Sequence, residues 1–145
     1  MDKITFSCIV QNESDVNDLG LEVWMDNEKF FDSNIESGQV HISHEFIEDE
    51  CEHSLRFVFK NKTIDHTTID EDGTITSDAV LQITNLTLDN MEIDQIFYKE
   101  AVYTHNRNGA LKQHVQEKFY GTLGCNGTVS FDFYTPFYMW LLENM

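Results

Sequence analysis

Basic residues are scarce in this 145-residue chain: 9 Lys plus Arg stand against 26 Asp plus Glu, for a net charge of −17. A surface of that sign repels phosphate backbones and anionic lipid, so neither nucleic acid nor a membrane surface is an expected partner. Cysteine is limited to Cys8, Cys51 and Cys125, an odd number at no ligand spacing, which argues against a disulfide framework or a closed zinc site. One proline and seven glycines leave no glycine-rich loop to cradle a phosphate. No apolar run approaches the ~18 residues that a membrane-spanning helix requires. Met-Asp-Lys runs straight into ITFSCIV, so no signal peptide is expected and the cysteines are expected to stay reduced.

Nucleophile elbows, P-loops, dinucleotide fingerprints and zinc-protease helices are also missing, so nothing in the sequence selects an enzyme. A small polysaccharide-directed hydrolase would need two carboxylates facing a cleft, and in so acidic a chain no pair stands out.

What is present is period two. Ile4, Phe6, Cys8 and Val10 fall on one face of KITFSCIV, and Leu21, Val23 and Met25 on one face of LEVWM, with Glu22 and Trp24 opposite. Residues 21–31 read as a hairpin. Val40, Ile42, His44 and Phe46 alternate in VHISHEFI, Leu55, Phe57 and Phe59 in LRFVF, and Val129, Phe131 and Phe133 in TVSFDFY. In DAVLQITNLTLDNMEI the alternation runs through Ala79, Leu81 and Ile83, then resumes at Leu86 and Leu88. IFYKEAVY (96–103) and KFYGTL (118–123) read as further strands. In TPFYMWLLENM, Thr135 is the expected cap and Pro136 the expected first residue of a short C-terminal helix, or the start of an aromatic tail. The expected fold is all-β: a single antiparallel β-sandwich domain over residues 1–145, jelly-roll-like, closed by that helix or tail.

Residues 65–78, DHTTIDEDGTITSD, concentrate carboxylates. Aligned as an EF-hand on Gly73, Asp70 and Asp72 take the third and fifth positions, but Thr68 and Ala79 stand where the first and twelfth ligands belong. The stretch therefore reads as a hairpin whose Asp-rich turn ends in a left-handed glycine. Calcium takes six to eight oxygens, so Asp65, Asp70, Asp72 and Asp78 are candidate ligands only with help from a second loop, such as Asp89 and Asp94. Calcium is the one cofactor the sequence suggests. Of six histidines, His41 and His44 lie three apart in a strand and face opposite ways, while His53 and His66 sit on adjacent segments that can meet.

Charge is unevenly spread. Residues 1–52 carry −12, whereas residues 99–118 carry +2 from Lys99, Arg107, Lys112 and Lys118 against Glu100 and Glu117. That strip is either locally balanced within the fold, or meets an acidic face of a second copy, making a homo-oligomer, or an anionic group on a ligand. Saccharide-binding sandwiches set exposed planar rings against the apolar faces of pyranoses, flanked by amides and charges. Trp24, Tyr98, Tyr103 and Tyr120, with Asn106 and Arg107 in the intervening basic loop, are the candidate ligand-binding residues.

Residues 52–94 carry a longer signature: His53-x-Leu55-Arg56, a lysine-bearing turn at Lys60 to Lys62, His66-Thr67, the Asp70-x-Asp72-Gly73 turn, Asp78, and Ile83-x-Asn85-Leu86-x-Leu88-Asp89. This segment resembles small β-sandwich proteins encoded by contractile-tailed phages of marine cyanobacteria, and the ending TPFYMWLLEN is similar to theirs. At the level of fold that group resembles calcium-dependent carbohydrate-binding modules. The resemblance implies a phage protein, located in the virion or the host cytoplasm, whose partner is a glycan, another virion protein or a host protein. The expected role is a virion accessory or glycan-binding module, or a host-directed interaction protein made during infection and acting through the acidic N-terminal surface.

Overall fold

The computed structural model describes residues 3–63, 67–106 and 111–145. Strands β1 (Lys3–Asn12), β4 (Gly38–Ile47), β8 (Leu81–Leu88), β9 (Met91–Glu92) and β12 (Thr122–Leu123) form one sheet, ordered β12-β8-β1-β4 with β9 beside β8. Strands β2 (Gly20–Met25), β3 (Glu28–Asn34), β5 (Glu52–Lys60), β10 (Val102–His105), β11 (Val115–Lys118) and β13 (Gly127–Tyr134) form the other, ordered β11-β10-β13-β5-β2-β3. A separate hairpin pairs β6 (Thr67–Ile69) with β7 (Ile75–Asp78). Every pairing is antiparallel.

The two large sheets stack through the side chains that the alternation marks. Ile4, Phe6, Cys8 and Val10 of β1 are buried, as are Leu21, Val23 and Met25 of β2 and Leu55, Phe57 and Phe59 of β5. Phe6 meets Phe57 edge to face across the sandwich at 6.2 Å. Each such ring removed from water contributes about 1.5–3 kcal/mol before the entropy of ordering it is counted. Burial pushes the Cys8 thiol up to about 12, with the Asp94 charge adding to it, so this cysteine stays protonated and inert.

The change of phase in β8 is a bulge. Ser7 pairs with Thr87 but Ile9 with Thr84, and Asn85 at the irregularity has φ +52. One extra residue on β8 returns Leu86 and Leu88 to the face that Leu81 and Ile83 occupy, and all four are buried. The acidic turn is a hairpin, as its composition suggests: Gly73 takes φ +82, its N–H donates to Asp70 O at 3.1 Å, and the register shifts between Thr68 and Ile69.

Three expectations need correction. Residues 96–100 are not strand but part of helix α1 (Asp94–Glu100), with β10 following. Ile93, Phe97 and Ala101 lie four apart and are all buried, and the Asp94 carboxylate accepts the N–H of Leu86 at 2.6 Å, fixing the helix start against β8. Residues 118–123 are not one strand either: β11 ends at Lys118, and β12 begins at Thr122 in the opposite sheet. Finally, Pro136 is the cap residue rather than the first helical one, with ψ 134, and helix α2 runs Phe137–Asn144. It seats Phe137 on Phe133 at 5.7 Å and Trp140 on Phe131 at 5.1 Å.

Candidate functional site

The crossing between sheets at Phe119-Tyr120-Gly121 has a peculiar construction. Phe119 is fully buried, and its N–H reaches Ala101 O. Gly121 O accepts the Ile83 N–H at 2.9 Å. Gly121 has φ +97, and a Cβ there would stand 3.2 Å from Cζ of Tyr98, so this position is closed to side chains on both counts. Between these two anchors Tyr120 is 78% exposed. An aromatic ring in water on a backbone tied at both ends loses little freedom when something stacks on it.

Tyr120 borders a depression of about 420 Å³ with Tyr103, His105, Glu117, Lys118 and Thr122. Its floor is rigid. Tyr103, 6% exposed, donates its hydroxyl to Cys125 O and accepts the Cys125 N–H at 3.0 Å, and burial drives its pKa upward. His105 Nε2 lies 2.9 Å from Glu117 Oε2.

The other candidates fall elsewhere. Tyr98, on α1, donates to Ile83 O at 2.7 Å and packs under Gly121; burial, then the Asp94 charge, raises its pKa. Tyr103 thus forms the floor of the depression, Tyr98 does not line it, and neither offers a free ring. Trp24 lies on the outer face of the six-stranded sheet, half-buried, its Nε1 donating to Glu22 at 3.1 Å. Lys29 and Arg56 sit over its ring at 5.6 and 5.4 Å, so cations of the chain itself already engage that ring. Asn106 is half-buried at the end of β10, its carbonyl accepting the Leu111 N–H. Arg107 lies outside the described residues.

Sequence reasoning missed a second polar centre. His53, 8% exposed, holds Asp26 at 2.7 Å through Nδ1 and Asp49 at 2.8 Å through Nε2. Burial pushes this imidazole down, but the bonds and charges of Asp26 and Asp49 together outweigh it, and its pKa rises above the ordinary value. Asp49 is lowered: a burial effect pushes it up, and His53 with the Cys51 N–H overcomes that. The clamp ties the β2–β3 turn to β5 and forms part of a depression of about 440 Å³ that Glu52, Asp132 and Trp140 also line. The expected partner of His53, His66, lies outside the described residues. His41 is exposed, while His44 stacks on Phe30 at 4.2 Å, so the two face opposite ways.

Among the described residues the acidic hairpin does not gather its carboxylates around a common point. Asp70 Oδ1 accepts the N–H groups of Asp72 and Thr74, capping its own turn. Asp78 pairs with the buried Lys62 ammonium at 2.7 Å, which also donates to Gly124 O at 2.6 Å. Asp72 is exposed, and Asp65 lies outside the described residues. Among the described residues no three His, Cys, Asp or Glu side chains converge to hold a metal ion, so those residues do not fit a calcium site.

These features define an antiparallel β-sandwich with an exposed aromatic on an anchored backbone at the crossing between its sheets. No protein-family model matches the chain, and no curated protein matches it in sequence. Among solved structures it is similar to the carbohydrate-binding module vCBM60 in complex with galactobiose, with a TM-score of 0.50 and 12% identity over 88% of this chain and 96% of that one. It is also similar to the selenomethionine form of vCBM60, from work on circular permutation linking two families of calcium-dependent carbohydrate-binding modules. There the TM-score is 0.53 and the identity 10%, over 88% of this chain and 89% of that one. At such identities the likeness is one of fold.

Proposed function

We propose that this chain is a non-enzymatic glycan-binding module of phage origin, carried as a virion accessory, and that its saccharide rests on Tyr120. The observation that carries the reading is Tyr120 itself, an exposed ring on an anchored backbone beside a depression floored by Tyr103 and rimmed by Lys118 and Thr122. Stacking a pyranose on that ring removes apolar surface from water on both partners, and the polar rim supplies donors and acceptors for hydroxyls. The likeness of fold to vCBM60 supports the class, and the signature in residues 52–94 supports the phage origin.

The test is a glycan array with the purified chain, in calcium and in chelator, followed by titration of the hits against Tyr120→Ala. The variant is expected to weaken binding at least tenfold, about 1.4 kcal/mol. Its thermal stability should hardly change, because an exposed ring contributes within roughly ±0.5 kcal/mol. Binding is expected to survive chelation; loss restored by calcium would mean that a bound ion takes part. An array without hits in either condition, or full binding by Tyr120→Ala, would refute the reading. Mass spectrometry of purified particles that finds no copy of the chain would remove the virion role.

A further inference from the structure

Resting on that reading, the geometry points to an acidic saccharide as the ligand: a sugar whose ring lies on Tyr120 and whose carboxylate or sulfate meets the ammonium of Lys118. In a chain with 26 acids and 9 bases, a lysine without a carboxylate neighbour is unexpected. Lys3, Lys29, Lys60, Lys62 and Lys99 each have one within 4.0 Å. Of the seven lysines, only Lys112 and Lys118 do not, among the described residues, although acids outnumber bases almost three to one, and of these two only Lys118 lines the depression. It is exposed at the end of β11, two residues before Tyr120, and both line the same depression. The depression's one carboxylate, Glu117, is held by His105 at 2.9 Å.

The surrounding sequence has the same bias, since residues 99–118 are net positive in a chain of −17. The acidic remainder does not defeat the site at physiological salt. Charges beyond ~8 Å are largely screened there, while a contact pair beside an apolar wall keeps most of its attraction. An ammonium on a flexible stem is a point charge rather than a fork, so it accepts carboxylate and sulfate alike.

The experiment uses matched probes: uronic-acid oligosaccharides of several backbones, each with its carboxyl-reduced neutral counterpart, and sulfated forms of the same neutral chains. Calorimetric titration is expected to show one acidic form binding roughly three- to tenfold tighter than its neutral match. The better of the uronate and sulfate arms identifies the anion. Lys118→Gln should equalise affinity for the acidic and neutral forms, whatever the lost rim hydrogen bond costs both, and Lys118→Glu should reverse the preference. Lys112→Gln, at an exposed lysine that does not line the depression, should leave it intact. Equal affinity for acidic and neutral forms, or a preference that survives Lys118→Gln, would overturn the inference and leave the glycan reading standing. Failure of every oligosaccharide to bind overturns both.

Discussion

His53 combines a nearly dry position with two carboxylates, and that combination makes its protonation a stability term. Its pKa is higher folded than unfolded, so the folded chain holds the proton more tightly. The clamp's contribution is therefore complete below the ordinary histidine value of 6.5 and is lost as pH rises through the raised folded value. Asp49 runs the other way: its contribution is in place above 3.8 and fades as pH falls through its lowered value. Thermal stability should peak between those limits and decline on the alkaline side. His53→Gln should flatten that alkaline decline, and a variant that kept the full wild-type slope would show that the slope arises elsewhere. Asparagines act as quietly. Asn12, fully buried, donates to Val16 O and Ile35 O, and Asn126 brackets the backbone of Lys62 from both sides. The sequence marks none of these as structural, because Ile35 and Lys62 lie far along the chain from the asparagines they bond and even Val16 meets Asn12 only through the loop geometry.

At the scale of the element, the crossing from β11 to β12 decides whether Tyr120 is presented at all. Gly121→Ala places a non-glycine residue at φ +97 and a Cβ against the Tyr98 ring, at a cost of order 1–3 kcal/mol. Relief of the clash is expected to shift the crossing, and Tyr120 with it. Both the melting temperature and saccharide affinity should fall together, whereas Tyr120→Ala should lower affinity alone. A Gly121→Ala variant with wild-type affinity would separate the ring from its support. Elements of this protein differ sharply in how openly the sequence states them. β1, β2, β5 and β13 bury every second residue, so two-fold periodicity finds both the strand and its inner face. Even the β8 bulge is legible, as the step from Ile83 to Leu86. α1 is not, because seven residues make only two turns and the short aromatic run Ile96-Phe97-Tyr98 reads as readily as a strand, and only Ile93, Phe97 and Ala101 taken together show the spacing of four. KFYGTL reads as one strand because a change of sheet leaves no mark on hydropathy. Tyr103 and Tyr120 line one depression and Tyr98 does not, and nothing local in the sequence reveals that Tyr103 is buried as its floor while Tyr120 stays exposed.

For the whole molecule the deciding quantity is the net charge of −17. The surface ion pairs that offset it, such as Lys60 with Glu22 and Asp32 at 2.9 Å each, contribute little because solvent and salt screen them. Repulsion among the unmatched carboxylates extends over ~30 Å at 0.01 M salt and under ~10 Å at 0.15 M. Screening should therefore relieve more repulsion than it removes attraction, and the melting temperature should rise with sodium chloride over that range. A fold held chiefly by its surface pairs would give the opposite sign. The same titration tells screening from a bound ion. Magnesium and calcium chlorides at equal ionic strength screen alike, whereas an ion bound only by the folded state adds stability as RT ln(1 + [L]/Kd). At a hundredfold excess over Kd that is about 2.7 kcal/mol. In a domain of this length it amounts to roughly 5–11 °C. The described carboxylates do not converge, so calcium and magnesium should raise the melting temperature equally. An excess for calcium of that size would show an ion bound to the folded chain, and its loss in Asp72→Asn would assign the acidic hairpin to that ion.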